Sequence, residues 1–242
     1  MKAGISISLL LALSCSAVAQ GQKGTVPPVF NMFEFVIQHH KDNAYDSLAE
    51  KNITASVTGE SGTLAIYSAR QQMNPSVVYV FEIYADSDAY EKHLNSLSYK
   101  EFLRNSPDIL VANQKRRIEV IPQLLADKPI LQSDNTINNF VIVDVKPEFG
   151  SDFRHIVLPE MTQSIELEEG VLAMYAAIDK ANPGRWYFYE IYASEDAYQA
   201  HRMTPHFNKY IEQTAEMTTY KEAIPIKPGK LMNKGGLRYQ VE

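Results

Sequence analysis

The chain has 242 residues, with 23 Lys and Arg against 29 Asp and Glu, a formal net charge of −6. The charges are spread along the sequence with no basic stripe, so nucleic acid is not an expected partner. Cys15 is the sole cysteine, which excludes a disulfide scaffold and any cysteine-based metal site.

In chain order, the first segment reads as a secretion leader. Lys2 is followed by an apolar run from Ile5 to Leu13 and then Ser16-Ala17-Val18-Ala19, with small residues where a signal peptidase cuts. The run is too short for a membrane span, and cleavage after Ala19 is expected. A lipoprotein with Cys15 as the lipid-bearing residue is the competing reading. It is disfavoured because Ala12, not Leu, stands three places before the cysteine. The protein is therefore expected to be exported, to the periplasm or beyond. No later segment is apolar enough to cross a bilayer.

The rest of the sequence is organised by an internal repeat. Gly62-Thr-Leu-Ala-Ile-Tyr67 aligns with Gly170-Val-Leu-Ala-Met-Tyr175, and Asn74-Pro75 with Asn182-Pro183 at the same offset. Glu82-Ile-Tyr-Ala85, Asp88-Ala-Tyr90 and His93 fall on Glu190-Ile-Tyr-Ala193, Asp196-Ala-Tyr198 and His201. About half the positions from Gly62 to His93 are identical to their partners. Further out, Asn31 aligns with Asn139, and Val120-Ile-Pro122 is matched to Ala223-Ile-Pro225 after a short deletion.

Each copy reads as strand, helix, strand, strand, helix, strand. The expected first strands are Phe30 to Ile37 and Asn139 to Val145, and the first helices Asn43 to Val57 and Ser151 to Glu166. Thr63 to Arg70 and Val77 to Tyr84 read as a hairpin across Asn74-Pro75, as do Val171 to Ile178 and Arg185 to Tyr192. Asp86 and Ser194 are N-cap residues of a second helix, with acidic residues just after them. That helix breaks near Ser96 to Ser98 and at Thr204-Pro205. The last strands are Arg117 to Ile121 and Lys221 to Ile224. This order is the ferredoxin-like split βαβ motif of the α+β class.

Such a sheet carries both helices on one face and leaves the other bare, so two units in one chain are expected to cover each other as an intramolecular α/β barrel. The expected divisions are a leader over 1–19, domain one over 29–122, a linker over 123–138, domain two over 139–226 and a polar tail over 227–242. The tail reads either as a strap over the barrel or as a loose end. A monomer acting as a pseudo-dimer, or a higher homo-oligomer, fits this arrangement.

Two runs carry a family resemblance. Glu169-Gly-Val-Leu-Ala-Met-Tyr175 is followed by Trp186-Tyr-Phe-Tyr-Glu-Ile-Tyr-Ala-Ser-Glu-Asp-Ala-Tyr-Gln-Ala-His201 and Thr204-Pro-His-Phe207; unit one has the same pattern more loosely and carries Leu97-Ser98-Tyr99 at its end. They resemble the antibiotic biosynthesis monooxygenase (ABM) domain, of the quinol monooxygenase type. The resemblance covers most of the chain beyond the leader. It implies a dimeric α/β barrel and oxygenation of a small electron-rich aromatic (a quinol, anthrone or phenol) by dioxygen without a cofactor. In that chemistry the deprotonated substrate itself reduces dioxygen, and the protein supplies an apolar cavity and a proton acceptor.

His93 and His201 are the candidate proton acceptors, since histidine takes a proton near neutral pH. Their structural alternative is a bond to Glu82 or Glu190, tying helix to sheet. Tyr84 and Tyr192 share a strand face with those glutamates and are candidates for orienting a substrate hydroxyl, as are Tyr67 and Tyr175; all four also suit a core. Trp186 either stacks on a flat ligand or fills space. His206, with Trp186 and Arg185, makes unit two the favoured pocket.

Haem is the cofactor alternative, because relatives of this fold degrade haem through a helix histidine, and only His93 and His201 fit that role. No metal site is expected: His39-His40 and His201 with His206 lack convergent ligand spacing, and there is no phosphate loop, dinucleotide fingerprint or nucleophile elbow. The alternatives to catalysis are a non-catalytic binder of an apolar aromatic ligand and a structural or interaction module on the same fold.

Overall fold

A computed structural model describes residues 26–241. The expected leader, with its cut after Ala19 and the lipid alternative at Cys15, lies outside the described residues. Unit one runs β1 (Val29–Val36), α1 (Asp42–Gly59), β2 (Thr63–Gln71), β3 (Val77–Tyr84), α2 (Ser87–Asn95), α3 (Leu97–Asn105) and β4 (Arg116–Asp127). Unit two repeats this as β5 (Ile137–Val145), α4 (Gly150–Leu167), β6 (Val171–Asp179), β7 (Arg185–Tyr192), α5 (Glu195–Arg202), α6 (Pro205–Thr214) and β8 (Thr218–Ile224). Two strands follow, β9 (Ile226–Asn233) and β10 (Arg238–Gln240). No helix among the described residues is long and apolar enough to cross a membrane.

The elements begin and end where local chemistry directs. The Asp86 side chain accepts from Ala89 N at the start of α2, and Ser194 accepts from Ala197 N at the start of α5. Each second helix is broken by a hydroxyl cap, Ser96 for α3 and Thr204 for α6. Gly62 and Gly170 are repeated for a packing reason. A Cβ on either would press into the Cβ of Ala89 or Ala197, so glycine lets the helix start lie directly on the strand start.

The sheet order is β8-β5-β7-β6-β4-β1-β3-β2-β9, with β10 on β4. Closure comes from the fourth strand of each unit. β4 pairs with β1 up to Glu119 and then with β6 from Val120 to Asp127. On the opposite side β8 pairs with β5, and β9 continues past Pro225 to pair with β2. Each long strand starts in its own unit and ends in the other, which joins two four-stranded sheets into a barrel.

Two expectations are corrected here and one open alternative is resolved. Residues 123–127 of the expected linker are strand: Pro122 reads as a strand terminator, but a register shift between Pro122 and Leu124 carries the ladder past it. Of the two readings of the tail the strap holds, since β10 and all of β9 but Ile226 lie within 227–242 and pair with strands of unit one. The fourth strands also match differently. Arg116 lies opposite Glu34 and Glu222 opposite Ile142, the twin of Glu34, so Arg116 matches Glu222 and Val120 does not match Ala223.

Strand alternation separates two kinds of core. Tyr79, Phe81 and Ile83 of β3 point into the barrel with Tyr187, Tyr189 and Ile191 of β7. Repeat partners meet there across the pseudo-twofold axis. Phe81 stacks on its twin Tyr189 at 3.8 Å between ring centroids, and the Tyr67 hydroxyl lies 2.8 Å from that of Tyr175, 108 residues later. Tyr175 donates onward to Asp127 Oδ2 at 2.6 Å. The opposite strand faces carry the helices, with Phe35, Ile53, Val78 and Val80 in unit one and Val143, Met161, Trp186 and Phe188 in unit two.

Candidate active site

The two repeated histidines lie under the helices of their own units. His93 is fully buried, and its Nδ1 lies 3.0 Å from Glu60 Oε2. Because a carboxylate only accepts, the ring proton sits on Nδ1 and is donated to Glu60. Burial lowers the His93 pKa below 6.5 against the attraction of Glu60, so the ring is neutral at neutral pH. In unit two, His201 Nδ1 donates to Glu168 Oε1 at 3.0 Å. Burial pulls the His201 pKa down, but the Glu168 hydrogen bond with the charges of Glu190, Glu168 and Glu160 outweighs it and the net shift is upward.

The expected partnership of these histidines with Glu82 and Glu190 is therefore corrected. Glu60 and Glu168 hold them, at the residues that end α1 and α4. Glu82 and Glu190 instead accept from the hydroxyls of Tyr84 at 2.9 Å and Tyr192 at 2.8 Å, two residues on along the same strand face. Sequence reasoning passed over Glu60 and Glu168, although they lie at the repeat offset just before Gly62 and Gly170; extending the repeat by two residues finds them. Thr63 supplies a second donor to Glu60, and His206 Nε2 is the second partner of Glu168 at 2.7 Å.

Between helix and sheet of unit one lies a cavity of about 220 Å³. Phe33, Phe35, Ile53, Ile66, Val80 and Phe102 form apolar walls, with Glu82, Asn52, Tyr99, Lys115, Arg116 and Arg117 as the polar groups. The matching cavity of unit two is about 130 Å³ and includes Glu190, His201, Phe207 and Tyr210. The difference follows from the sequence. On the wall, Val80 of unit one is replaced by Phe188, which stacks on Trp186 at 5.9 Å, and Trp186 in turn meets Phe153 edge-on at 5.2 Å. Trp186 is buried in that layer and forms no part of either cavity wall.

The electrostatics of the two cavities also differ. Glu82 is 7% exposed, and burial pushes its pKa up to about 7 despite the Tyr84 hydroxyl and Arg117, which pull it down. Arg117 Nη2 donates to Asn31 Oδ1 at 2.8 Å, and Asn31 lies directly across the ladder from Glu82. Opposite Phe33 in the ladder stands Arg117, but opposite its twin Val141 stands Ala223, so unit two lacks the guanidinium. The Tyr99 phenol is raised to about 12 by burial and keeps its proton. Asn52 Oδ1 is buried without a hydrogen-bond partner among the described residues.

The remaining expected site residues fall as follows. His93 is not on the wall of the unit-one cavity; the Tyr99 ring packs on it at 4.8 Å and faces the cavity itself. Tyr84 packs on His93 at 5.1 Å, and Tyr192 on His201 at 5.5 Å. Tyr67 and Tyr175 point into the filled barrel, away from both helix-side cavities. Arg185 forms a paired bond with Asp144, at 2.7 Å to each oxygen. His206 joins His201 and Glu160 in a cluster whose ligand-type atoms lie within 4.8 Å of one another. The sequence spacing of these histidines gives no sign of this cluster, because Glu160 arrives from α4, distant in sequence.

The arrangement in unit one combines an apolar slot, a carboxyl that changes charge near neutral pH and a fixed guanidinium. It suits taking a proton from a weakly acidic hydroxyl and holding the anion that results.

Comparison with known proteins bears on the family and the fold. The family model "Antibiotic biosynthesis monooxygenase" matches twice, over residues 28–105 and 138–213. A structure from Fusobacterium nucleatum subsp. nucleatum ATCC 25586, provisionally named a monooxygenase, is similar with a TM-score of 0.85 and 30% identity over 90% of this chain and 100% of that one. A second with the same provisional name, from Lactobacillus acidophilus NCFM, has a TM-score of 0.83 and 28% identity over 88% of this chain and 99% of that one. An anthrone oxidase-like protein shares the fold, with 12% identity, a TM-score of 0.50 and coverage of 87% and 98%. No curated protein matches the sequence. With two matched domains in tandem, the chain belongs to the antibiotic biosynthesis monooxygenase family.

Proposed function

We propose that this protein is an exported monooxygenase that oxidises a small electron-rich aromatic, a quinol or anthrone, with dioxygen in the cavity of unit one. The observation that carries the reading is Glu82: a buried carboxyl with a pKa of about 7 on the wall of a 220 Å³ apolar cavity, beside Arg117. Glu82, rather than His93, is the proton acceptor, because His93 gives its Nδ1 proton to Glu60 and does not line the cavity.

In the proposed reaction the Glu82 carboxylate takes the proton of a substrate hydroxyl, and Arg117 stabilises the anion and the charge that develops as dioxygen is reduced. The electrons come from the substrate. One oxygen atom enters the ring and the other leaves as water, so a hydroquinone and dioxygen give a hydroxyquinone and water. Asn52 Oδ1 is free to accept from a second substrate hydroxyl, and the phenylalanine walls exclude solvent. The fold and family support a monooxygenase; the apolar walls and the acid–base pair support this substrate class.

Oxygen uptake with a panel of hydroquinones and anthrones, on protein treated with EDTA, is the test. Uptake above buffer autoxidation, lost in Glu82→Gln, is expected. Uptake no greater than autoxidation across the whole panel would sink the proposal.

A further inference from the structure

We propose that unit two holds a divalent transition-metal ion between Glu160 of α4, His201 of α5 and His206 of α6. This goes beyond the oxygenase reading, which concerns the cavity of unit one.

The donor atoms of the three side chains lie within 4.8 Å of one another. An ion with bonds of ~2.1 Å draws its ligands to about 3–3.4 Å apart, so adjustments of order one ångström bring these together. Two imidazoles and one carboxylate form a borderline set, suited to zinc, ferrous iron or manganese rather than calcium or magnesium.

Several features prepare the residues for this use. His201 has its Nδ1 fixed by Glu168 at 3.0 Å, the carboxylate–histidine arrangement that orients a metal-bound imidazole. Its Nε2 faces Glu160 Oε1 at 4.0 Å, too far for a hydrogen bond. Glu160 is 6% exposed, and its side chain has one hydrogen bond among the described residues, from Ser164 Oγ at 2.9 Å. A carboxyl buried with so little compensation is costly, and a cation beside it offsets that cost. An open cleft of about 340 Å³, lined by both Glu160 and His206, gives a route in and room for water as a further ligand.

His206 also donates through Nε2 to Glu168 at 2.7 Å, so an ion takes its Nδ1 or displaces that hydrogen bond. Comparison of the two repeats shows that the fold does not require this contact. At the positions of Glu160 and His206, unit one carries Asn52 and Ser98, and there α1 packs on α3 as α4 does on α6. Only the histidine and the glutamate that holds it, His93 with Glu60, are common to both. The fold needs that pair, and unit two has added the other two donors.

The experiment is a Co(II) titration of the EDTA-treated chain, followed by its visible d–d absorption, with Zn(II) competition and calorimetric stoichiometry. One equivalent is expected. Glu160→Asn and His206→Ser install the residues the fold already accepts in unit one, and each should weaken binding at least tenfold, about what loss of a metal site's outer-shell partner alone produces. Ser98→Ala should leave it unchanged. Melting in EDTA, with midpoints like that of the wild type, confirms that the variants fold. No saturable Co(II) spectrum, or binding that survives both substitutions and so belongs to surface histidines such as His39 and His40, overturns the proposal. Its failure leaves the oxygenase reading untouched, because that assay is run in unit one's chemistry after EDTA.

Discussion

Replacing Glu82 by Gln should stabilise the protein above neutral pH while abolishing its oxygen uptake. The carboxyl is 7% exposed and holds its proton up to about pH 7 rather than the ordinary 4.5. At pH 8 the folded state must ionise a group that burial keeps neutral, at a cost of about 3 kcal/mol at most, from 1.36 kcal/mol per pH unit of displacement. The sign follows from linkage. The folded state binds the proton more tightly than the unfolded chain, so stability falls as pH rises between 4.5 and about 7 and is level above. Gln keeps an oxygen for the Tyr84 hydroxyl and removes the ionisation. Urea unfolding of both proteins should show near parity at about pH 4 and an advantage of about 1–3 kcal/mol for the variant at about pH 8. Glu160, also raised to about 7 by burial, is present in both proteins and cancels in the difference if the two sites are independent. An equal difference at both pH values, or a variant less stable at pH 8, would show that Arg117 fully compensates the carboxylate, and the account of Glu82 as a desolvated base would be refuted.

Two further outcomes test the architecture. Gly62→Ala should cost about 1–3 kcal/mol, since the new Cβ overlaps that of Ala89; Ala89→Gly in the same chain should recover part of this, and a neutral single variant would contradict the close approach. Truncation after Pro225 removes β9 and β10 and uncovers the edge of β2. Size-exclusion chromatography should then show self-association or aggregation, as open strand edges produce, whereas an unchanged elution profile would show that the strap is dispensable.

The repeat made the fold legible from the sequence. Val77 to Tyr84 and Arg185 to Tyr192 match their strands to the residue, because β-branched and aromatic residues between turn signals are a local property. The caps at Asp86, Ser194, Ser96 and Thr204 are likewise local, being hydrogen bonds within three residues. The alternation that places Glu82 and Tyr84 on one face follows from strand geometry alone.

The partner of each histidine was decided by tertiary structure. Glu82 and Glu60 are both repeated near the same histidine in sequence, and only the packing of α2 over the end of α1 selects Glu60. The fourth strands escaped a local reading because Pro122 and Pro225 resemble stops; the strand that each one continues into pairs with the other unit, a long-range contact with no local signature. The choice of cavity has the same character. Trp186 marked unit two as the site of chemistry by its residue type, yet volume is a sum over neighbours from several segments. With Phe188 set against Val80 on the walls, the larger of the two matching helix–sheet cavities lies in unit one. The sequence by itself determined which elements form and which faces they bury, because those depend on residues a few positions apart. The structure decided which charges meet and where space remains, because both depend on side chains from distant segments packed at fixed distances.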